Sequence, residues 1–161
     1  MILSGQTIWA LCNPPHVVAR RPMLDPFHER TRENGMTFGL GPAGYDVRIK
    51  QELHLAPGEL ALASTVERFS MPNDVLATVM DKSTWARRGL SLFNTVIEPG
   101  WEGWLTLELV NQSRYWMKIE SGSPIAQVIF QRLDQATNFP YEGKYQGQED
   151  RPVAAILEGA P

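Results

Sequence analysis

Short stretches of alternating apolar and polar residues, each cut off by Pro, Gly or Asn, are what most limit the folds open to this chain. On that pattern residues 44–50, 59–65, 75–80, 90–97, 104–111, 115–119 and 125–133 read as β-strands. Strands this short, closely spaced and with few helical stretches between them, predict a mainly β fold: a sandwich, jelly roll or barrel. Residues 4–12 read as a short capped helix, and 13–35, with Pro14, Pro15, Pro22 and Pro26, as an irregular loop. At 161 residues the chain is long enough for one domain with a real core and too short for two. Residues 134–161, polar and rich in Gly, Gln and Pro, read as a flexible C-terminal tail on that single domain.

Composition narrows the function classes. A net charge of −3 argues against a protein that coats nucleic acid. It leaves room for a small phosphorylated substrate, which needs only a local basic patch. One cysteine, Cys12, gives no disulfide framework within the chain and fits a reducing, cytoplasmic setting. No apolar run approaches the length of a membrane span, so no membrane partner is expected.

The most chemically loaded segment is Asp81-Lys82-Ser83-Thr84-Trp85-Ala86-Arg87-Arg88-Gly89. Lys82 and Arg87 bring positive charge, and Ser83 and Thr84 bring hydroxyls. Ser83 or Thr84 is placed to cap a short helix running to Arg88, with Gly89 as its stop. Such a helix start offers donors to a phosphate, each charge-assisted bond being worth roughly 1.5–3 kcal/mol. A capped surface helix with solvated arginines would look the same. No Gly-x-x-x-x-Gly-Lys loop is present, which excludes ordinary P-loop chemistry.

Within twenty residues follow Glu98-Pro99-Gly100-Trp101 and the strand Trp104–Val110. Period-two alternation puts Leu105, Leu107 and Leu109 on one face and Trp104, Thr106, Glu108 and Val110 on the other. A lone acid between Trp and Val fits a semi-apolar pocket, where desolvation raises its pKa. It also fits an ordinary exposed strand face.

Taken together these residues resemble a family. Lys82-Ser83-Thr84-x-Ala86-Arg87-x-Gly89-Leu90 and Pro99-Gly100-Trp101-x-Gly103-x-Leu105-x-Leu107-Glu108 are similar to the dCTP deaminase branch of the dCTP deaminase/dUTPase superfamily. Ala43-Gly44-Tyr45-Asp46-Val47-Arg48 resembles its early strand signature, and Tyr141-x-x-Lys144-Tyr145-x-x-Gln148 its C-terminal substrate-closing segment. The resemblance implies a distorted jelly-roll or β-barrel of the dUTPase-like type with short peripheral helices. It implies hydrolytic deamination of dCTP to dUTP and ammonia, without zinc, in homotrimers with shared active sites.

In that frame Lys82, Ser83, Thr84 and Arg87 hold the triphosphate, with Mg²⁺ bound through phosphate oxygens rather than by the protein. Tyr141, Lys144 and Gln148 close from the tail, Asn94, Thr95 and Trp101 lie beside base and sugar, and Glu108 activates the attacking water with Arg87 as its helper. Zinc deaminases need His-x-Glu and Pro-Cys-x-x-Cys ligand sets. Neither stands here: His16, His28 and His54 do not precede a Glu by two, and Cys12 is alone. The histidines read as loop or surface residues.

Between Gly89 and Pro99 the chain departs from the better-known bacterial deaminases. It is about two residues shorter, with Thr95-Val96 where they carry His-Arg. That leaves open a C5-modified cytosine as substrate and the presence of dTTP feedback. dUTPase or bifunctional chemistry also stays open, with Glu98 standing where dUTPases carry their strand Asp. A non-catalytic nucleotide-binding protein would not need Glu108, and a carbohydrate-binding jelly roll would not need the 82–87 set.

Overall fold

The computed structural model describes residues 1–15, 21–33, 35–157 and 159. Helix α1 (Gly5–Cys12) leads into strands β1 (Leu24–Asp25), β2 (Thr31–Glu33), β3 (Met36–Gly41), β4 (Gly44–Arg48) and β5 (Leu53–Leu55). Strands β6 (Leu60–Ser70) and β7 (Val75–Asp81), helix α2 (Ser83–Ala86), β8 (Leu90–Leu92) and β9 (Val96–Ile97) follow. Strands β10 (Glu102–Asn111), β11 (Met117–Ile119) and β12 (Pro124–Arg132) complete the order.

A 6-stranded sheet runs β2-β3-β4-β12-β7-β9, a 4-stranded sheet β1-β6-β10-β8, and a 2-stranded ribbon β11-β5. The sequence places residues in strands with period two, and the burial follows it. In β7, Val75, Ala77 and Val79 are buried while the residues between them are not. Val128 and Phe130 of β12, with Tyr45 and Val47 of β4, bury the matching face. Leu107 and Leu109 of β10 and Ala63 and Phe69 of β6 meet them from the second sheet in one continuous core. Each fully buried aliphatic or aromatic side chain in such a core contributes roughly 1.5–3 kcal/mol.

Two readings of the sequence are corrected. The stretch 90–97 is not one strand: β8 and β9 are separated by Phe93-Asn94-Thr95, and they join different sheets. The 13–35 stretch carries the short strands β1 and β2, and β3 and β5, outside the strands read from the sequence, also pair in sheets. The tail lies against the body, with the Tyr141 N–H donating to Pro99 O at 2.9 Å and the Gly147 N–H to Glu102 O at 2.9 Å. Two glycines of the Pro99–Gly103 motif explain that docking. A Cβ on Gly100 would stand 2.5 Å from Pro140 Cβ, and one on Gly103 only 2.7 Å from Gln148 N. Both have positive φ, so any side chain there is opposed by space and by backbone conformation.

One irregularity shapes the functional face. Between β10 and β6 the pairing jumps from Trp104↔Arg68 to Thr106↔Ser64. Leu105 thus faces the extra residues of a bulge in β6. The Thr65 hydroxyl fills this gap: it accepts the Leu105 N–H at 3.1 Å and donates to Glu67 O at 2.7 Å. The bulge breaks the expected alternation, and Leu105 turns from the leucine face to line the same cavity as Thr106 and Glu108.

Candidate active site

A cavity of about 510 Å³ opens beside the bulge. Glu108 and Thr106 reach it from β10, and Leu60 and Leu62 from β6. Asn94, Thr95 and Glu98 come from the β8–β10 connection, and Tyr141, Tyr145, Gln148 and Val153 from the tail. Antiparallel pairing sets Glu108 opposite Leu62, so an aliphatic side chain is the acid's cross-strand neighbour. Burial pushes the Glu108 carboxyl above its ordinary value of 4.5, with no other cause acting on it. The semi-apolar setting is therefore present, although Trp104 and Val110 do not line the cavity and its aliphatic wall includes Leu60 and Leu62 of β6.

The carboxylate's backbone is fixed from the side. Asn94 Oδ1 accepts the Glu108 N–H at 3.2 Å, and Asn94 Nδ2 donates to Thr106 O at 2.8 Å. The Phe93 N–H donates to Glu108 O at 2.9 Å. Asn94 thus serves the cavity through its grip on β10, with both ends of its amide engaged. Trp101 is 5 % exposed, and its indole N–H donates to Tyr145 O at 2.6 Å. It forms the floor under the tail.

The tail residues divide. Tyr141 and Gln148 line the cavity. Lys144 does not; its ammonium lies 5.4 Å from the centre of the Tyr145 ring. Tyr145, given no role from the sequence, lines the cavity and accepts the Ile156 N–H at its hydroxyl, 3.1 Å away. The Gln148 main chain pairs with β10, where the Trp104 N–H donates to Gln148 O at 3.2 Å.

The basic segment lies elsewhere. Lys82, Ser83, Thr84 and Arg87 do not line the cavity that holds Glu108. Helix α2 is short, starts at Ser83 and has no side-chain cap, which corrects the expected Ser83 or Thr84 cap. It is held instead by Trp85, whose indole N–H donates to Pro124 O at 2.7 Å. Lys82 is 8 % exposed, and its ammonium pairs with Asp46 of β4 at 2.7 Å. Arg87 is exposed, while Arg88 stacks on the Trp85 ring at 4.6 Å. Within one chain, then, the basic segment is not part of the cavity that holds Glu108. His28 and His54 lie away from the cavity; His16 lies outside the described residues. Among the described residues no group of three or more His, Cys, Asp or Glu is placed to hold a metal, and no helix is long and apolar enough to cross a membrane.

Comparison with known proteins gives the family and the fold. Residues 45–133 match the family model described as dCTP deaminase-like. A protein named dCTP deaminase from Campylobacter hominis is 34% identical over 170 residues, covering 85% of this chain and 90% of that protein. One of the same name from Thermococcus sibiricus is 32% identical over 151 residues, covering 84% and 92%. Among solved structures, a dUTPase of S. aureus phage phi11, described with a structural Mg(II) ion, superposes with a TM-score of 0.55 at 16% identity, over 74% of this chain and 92% of that one. A Staphylococcus phage 80alpha dUTPase with the nucleotide analogue dUpNHpp gives 0.51 at 20% identity, over 62% and 86%. At these identities the structures speak for the fold, a dUTPase-like β architecture.

Proposed function

The chain belongs to the dCTP deaminase-like family, and from that premise we propose that it deaminates dCTP to dUTP with Glu108 as the general base. The observation that carries the assignment is the desolvated Glu108, facing a nucleotide-sized cavity on a strand pinned by Asn94. A water held by Glu108 gives up a proton to the carboxylate as its oxygen bonds to C4 of cytosine. That proton passes to ring N3; the second, lost from the new C4 hydroxyl, passes by way of the carboxylate to the amine, and ammonia leaves as the C4 carbonyl forms. A positioned general base contributes typically about 10²–10⁴-fold. Orientation by the cavity and charge placement supply the remainder.

The triphosphate requires cations, and none of Lys82, Arg87 or Lys144 lines this chain's cavity. The reading therefore takes Lys82, Ser83, Thr84 and Arg87 from a neighbouring copy, in a homotrimer whose sites lie between protomers. Of the two cations in this set, Lys82 is paired with Asp46 and Arg87 is exposed, so the reading gives Arg87 the reach across to a neighbour. Mg²⁺ fits this donor set through the triphosphate's own oxygens. Asp46 is engaged by Lys82, and the carboxylates lining the cavity are Glu98 and Glu108. The ion would lower the charge of the phosphates. The proton chemistry needs no zinc.

Glu98 lines the same cavity as Glu108, which favours a second reading in which dUTP is hydrolysed further to dUMP and pyrophosphate. One experiment separates the readings: chromatography of products after incubation with dCTP, 5-methyl-dCTP and dUTP, each with Mg²⁺. Ammonia and dUTP from dCTP support the deaminase. Release of pyrophosphate adds the hydrolase, and no turnover of any substrate removes both.

A further inference from the structure

Thr106 stands two residues before Glu108 on the same strand and is 6 % exposed. Its hydroxyl meets the tail twice. Thr106 Oγ1 accepts the Val153 N–H at 3.0 Å and donates to Gln148 Oε1 at 3.2 Å. An N–H can only donate, so the hydroxyl's one hydrogen is directed away from Val153 and serves Gln148. The amide of Gln148 is thereby oriented. Its oxygen is engaged by Thr106, and its Nε2, with no partner among the described residues, is the part left for the cavity that Gln148 lines.

We propose that Thr106 is a positioning residue that latches the tail to the strand of the general base and turns Gln148 toward the substrate as a hydrogen-bond donor. The ligand feature it selects is an acceptor: a pyrimidine carbonyl or ring nitrogen, or a sugar oxygen. The latch also ties recognition to the base. Thr106 O accepts from Asn94 Nδ2, and Asn94 Oδ1 accepts from Glu108 N. Tail, Thr106, Asn94 and Glu108 thus form one hydrogen-bonded chain, in which a displaced tail and a displaced acid share a connection. A valine in place of Thr106 would keep the shape and lose both tail bonds. A serine would keep the bonds and lose only a methyl group.

The kinetic part of this proposal rests on the dCTP reading; the latch itself does not. Two measurements on Thr106→Val, Thr106→Ser and the wild-type chain keep them apart. The first is trypsin cleavage after Lys144 without nucleotide, which reads tail opening. Thr106→Val should be cut about tenfold faster than wild type, and Thr106→Ser at nearly the wild-type rate. The second is steady-state kinetics of ammonia release from dCTP. Thr106→Val should raise KM about tenfold with kcat changed by no more than about threefold, and Thr106→Ser should restore KM. Cleavage of Thr106→Val at the wild-type rate overturns the latch whatever the substrate is. A serine variant as defective as the valine variant overturns it too, since the methyl group and not the hydroxyl would then matter. Faster cleavage with an unchanged KM overturns the orienting of Gln148. A wild-type protein that releases no ammonia, yet shows the expected cleavage pattern, overturns the dCTP reading and leaves the latch standing.

Discussion

Asn94 clamps Glu108 from outside the strand: its Oδ1 accepts the Glu108 N–H at 3.2 Å while its Nδ2 donates to Thr106 O at 2.8 Å. The connection between β8 and β9 thereby sets the backbone position of the acid, though it contributes no charge.

Removing that clamp should slow chemistry more than binding. Asn94→Ala loses both bonds, and Asn94→Asp keeps the acceptor but sets an anion against the Thr106 carbonyl. Each should lower kcat by roughly tenfold, about the worth of one or two hydrogen bonds. Steady-state kinetics with dCTP checks this; a kcat within twofold of wild type for both variants would make the clamp irrelevant to turnover.

Glu108→Gln should lose about 10²-fold or more in turnover while still binding nucleotide, since an amide keeps the shape but accepts no proton. Calorimetric titration beside an ammonia assay reads both properties.

The raised pKa of Glu108 has consequences of definite sign. A base must be deprotonated, so kcat/KM should fall with decreasing pH along a limb that lies above the ordinary carboxyl value of 4.5. Leu62→Ser admits water opposite the acid and should move that limb to lower pH. Stability runs the other way. The folded protein holds this proton more tightly than the unfolded chain does, so burial of the ionised acid opposes folding. That cost is absent below 4.5 and grows as pH rises through the folded pKa. Glu108→Gln should therefore melt above wild type at pH 7 by scanning calorimetry, with the gap closing toward pH 4.

Strand alternation made much of this legible before any coordinates. The placement of Glu108 on a face with Thr106 follows from period two alone, and the core positions Leu107 and Leu109 with it. The aliphatic wall of Leu60 and Leu62 was hidden, because it depends on which strand pairs with β10 and in what register. The turn of Leu105 toward the cavity was hidden too, since it comes from a bulge on the partner strand and from the Thr65 hydroxyl that fills it. The basic segment was legible as a phosphate grip by type. Its absence from the cavity of Glu108 within one chain was not, because spacing in sequence does not say which cavity a side chain lines.

That absence makes a complementation test decisive for the shared site. Arg87→Ala and Glu108→Gln should each be nearly inactive alone, whereas Arg88→Ala, which removes a side chain stacked on Trp85, should keep most activity. Mixed and allowed to exchange subunits, the first two should recover about a quarter of the wild-type rate, as sites with an intact Glu108 from one copy and Arg87 from another form at random. A mixture no more active than its parts would put both residues in one chain's site.

Gly103 carries the remaining test, because it joins the motif around the cavity to the tail. Its φ is +143°, and a Cβ there would lie 2.7 Å from Gln148 N and 2.9 Å from Gln148 O. These are backbone atoms that cannot swing aside as a side chain would. Gly103→Ala should therefore push the tail off β10, breaking the Trp104 N–H to Gln148 O bond and the Gly147 N–H to Glu102 O bond beside it. The strands that build the core precede residue 134, so the body should stay folded, with a far-ultraviolet circular dichroism spectrum like that of wild type. Trp101 should lose its cover, since its indole N–H donates to Tyr145 O in the tail, and its fluorescence should shift to the red. Activity should drop about as far as in a chain truncated after Pro140, because both lose Tyr141, Tyr145 and Gln148 from the cavity. A Gly103→Ala protein with wild-type emission and wild-type KM would show that the tail tolerates the extra carbon, and would sever the link drawn here between this glycine and closure of the site.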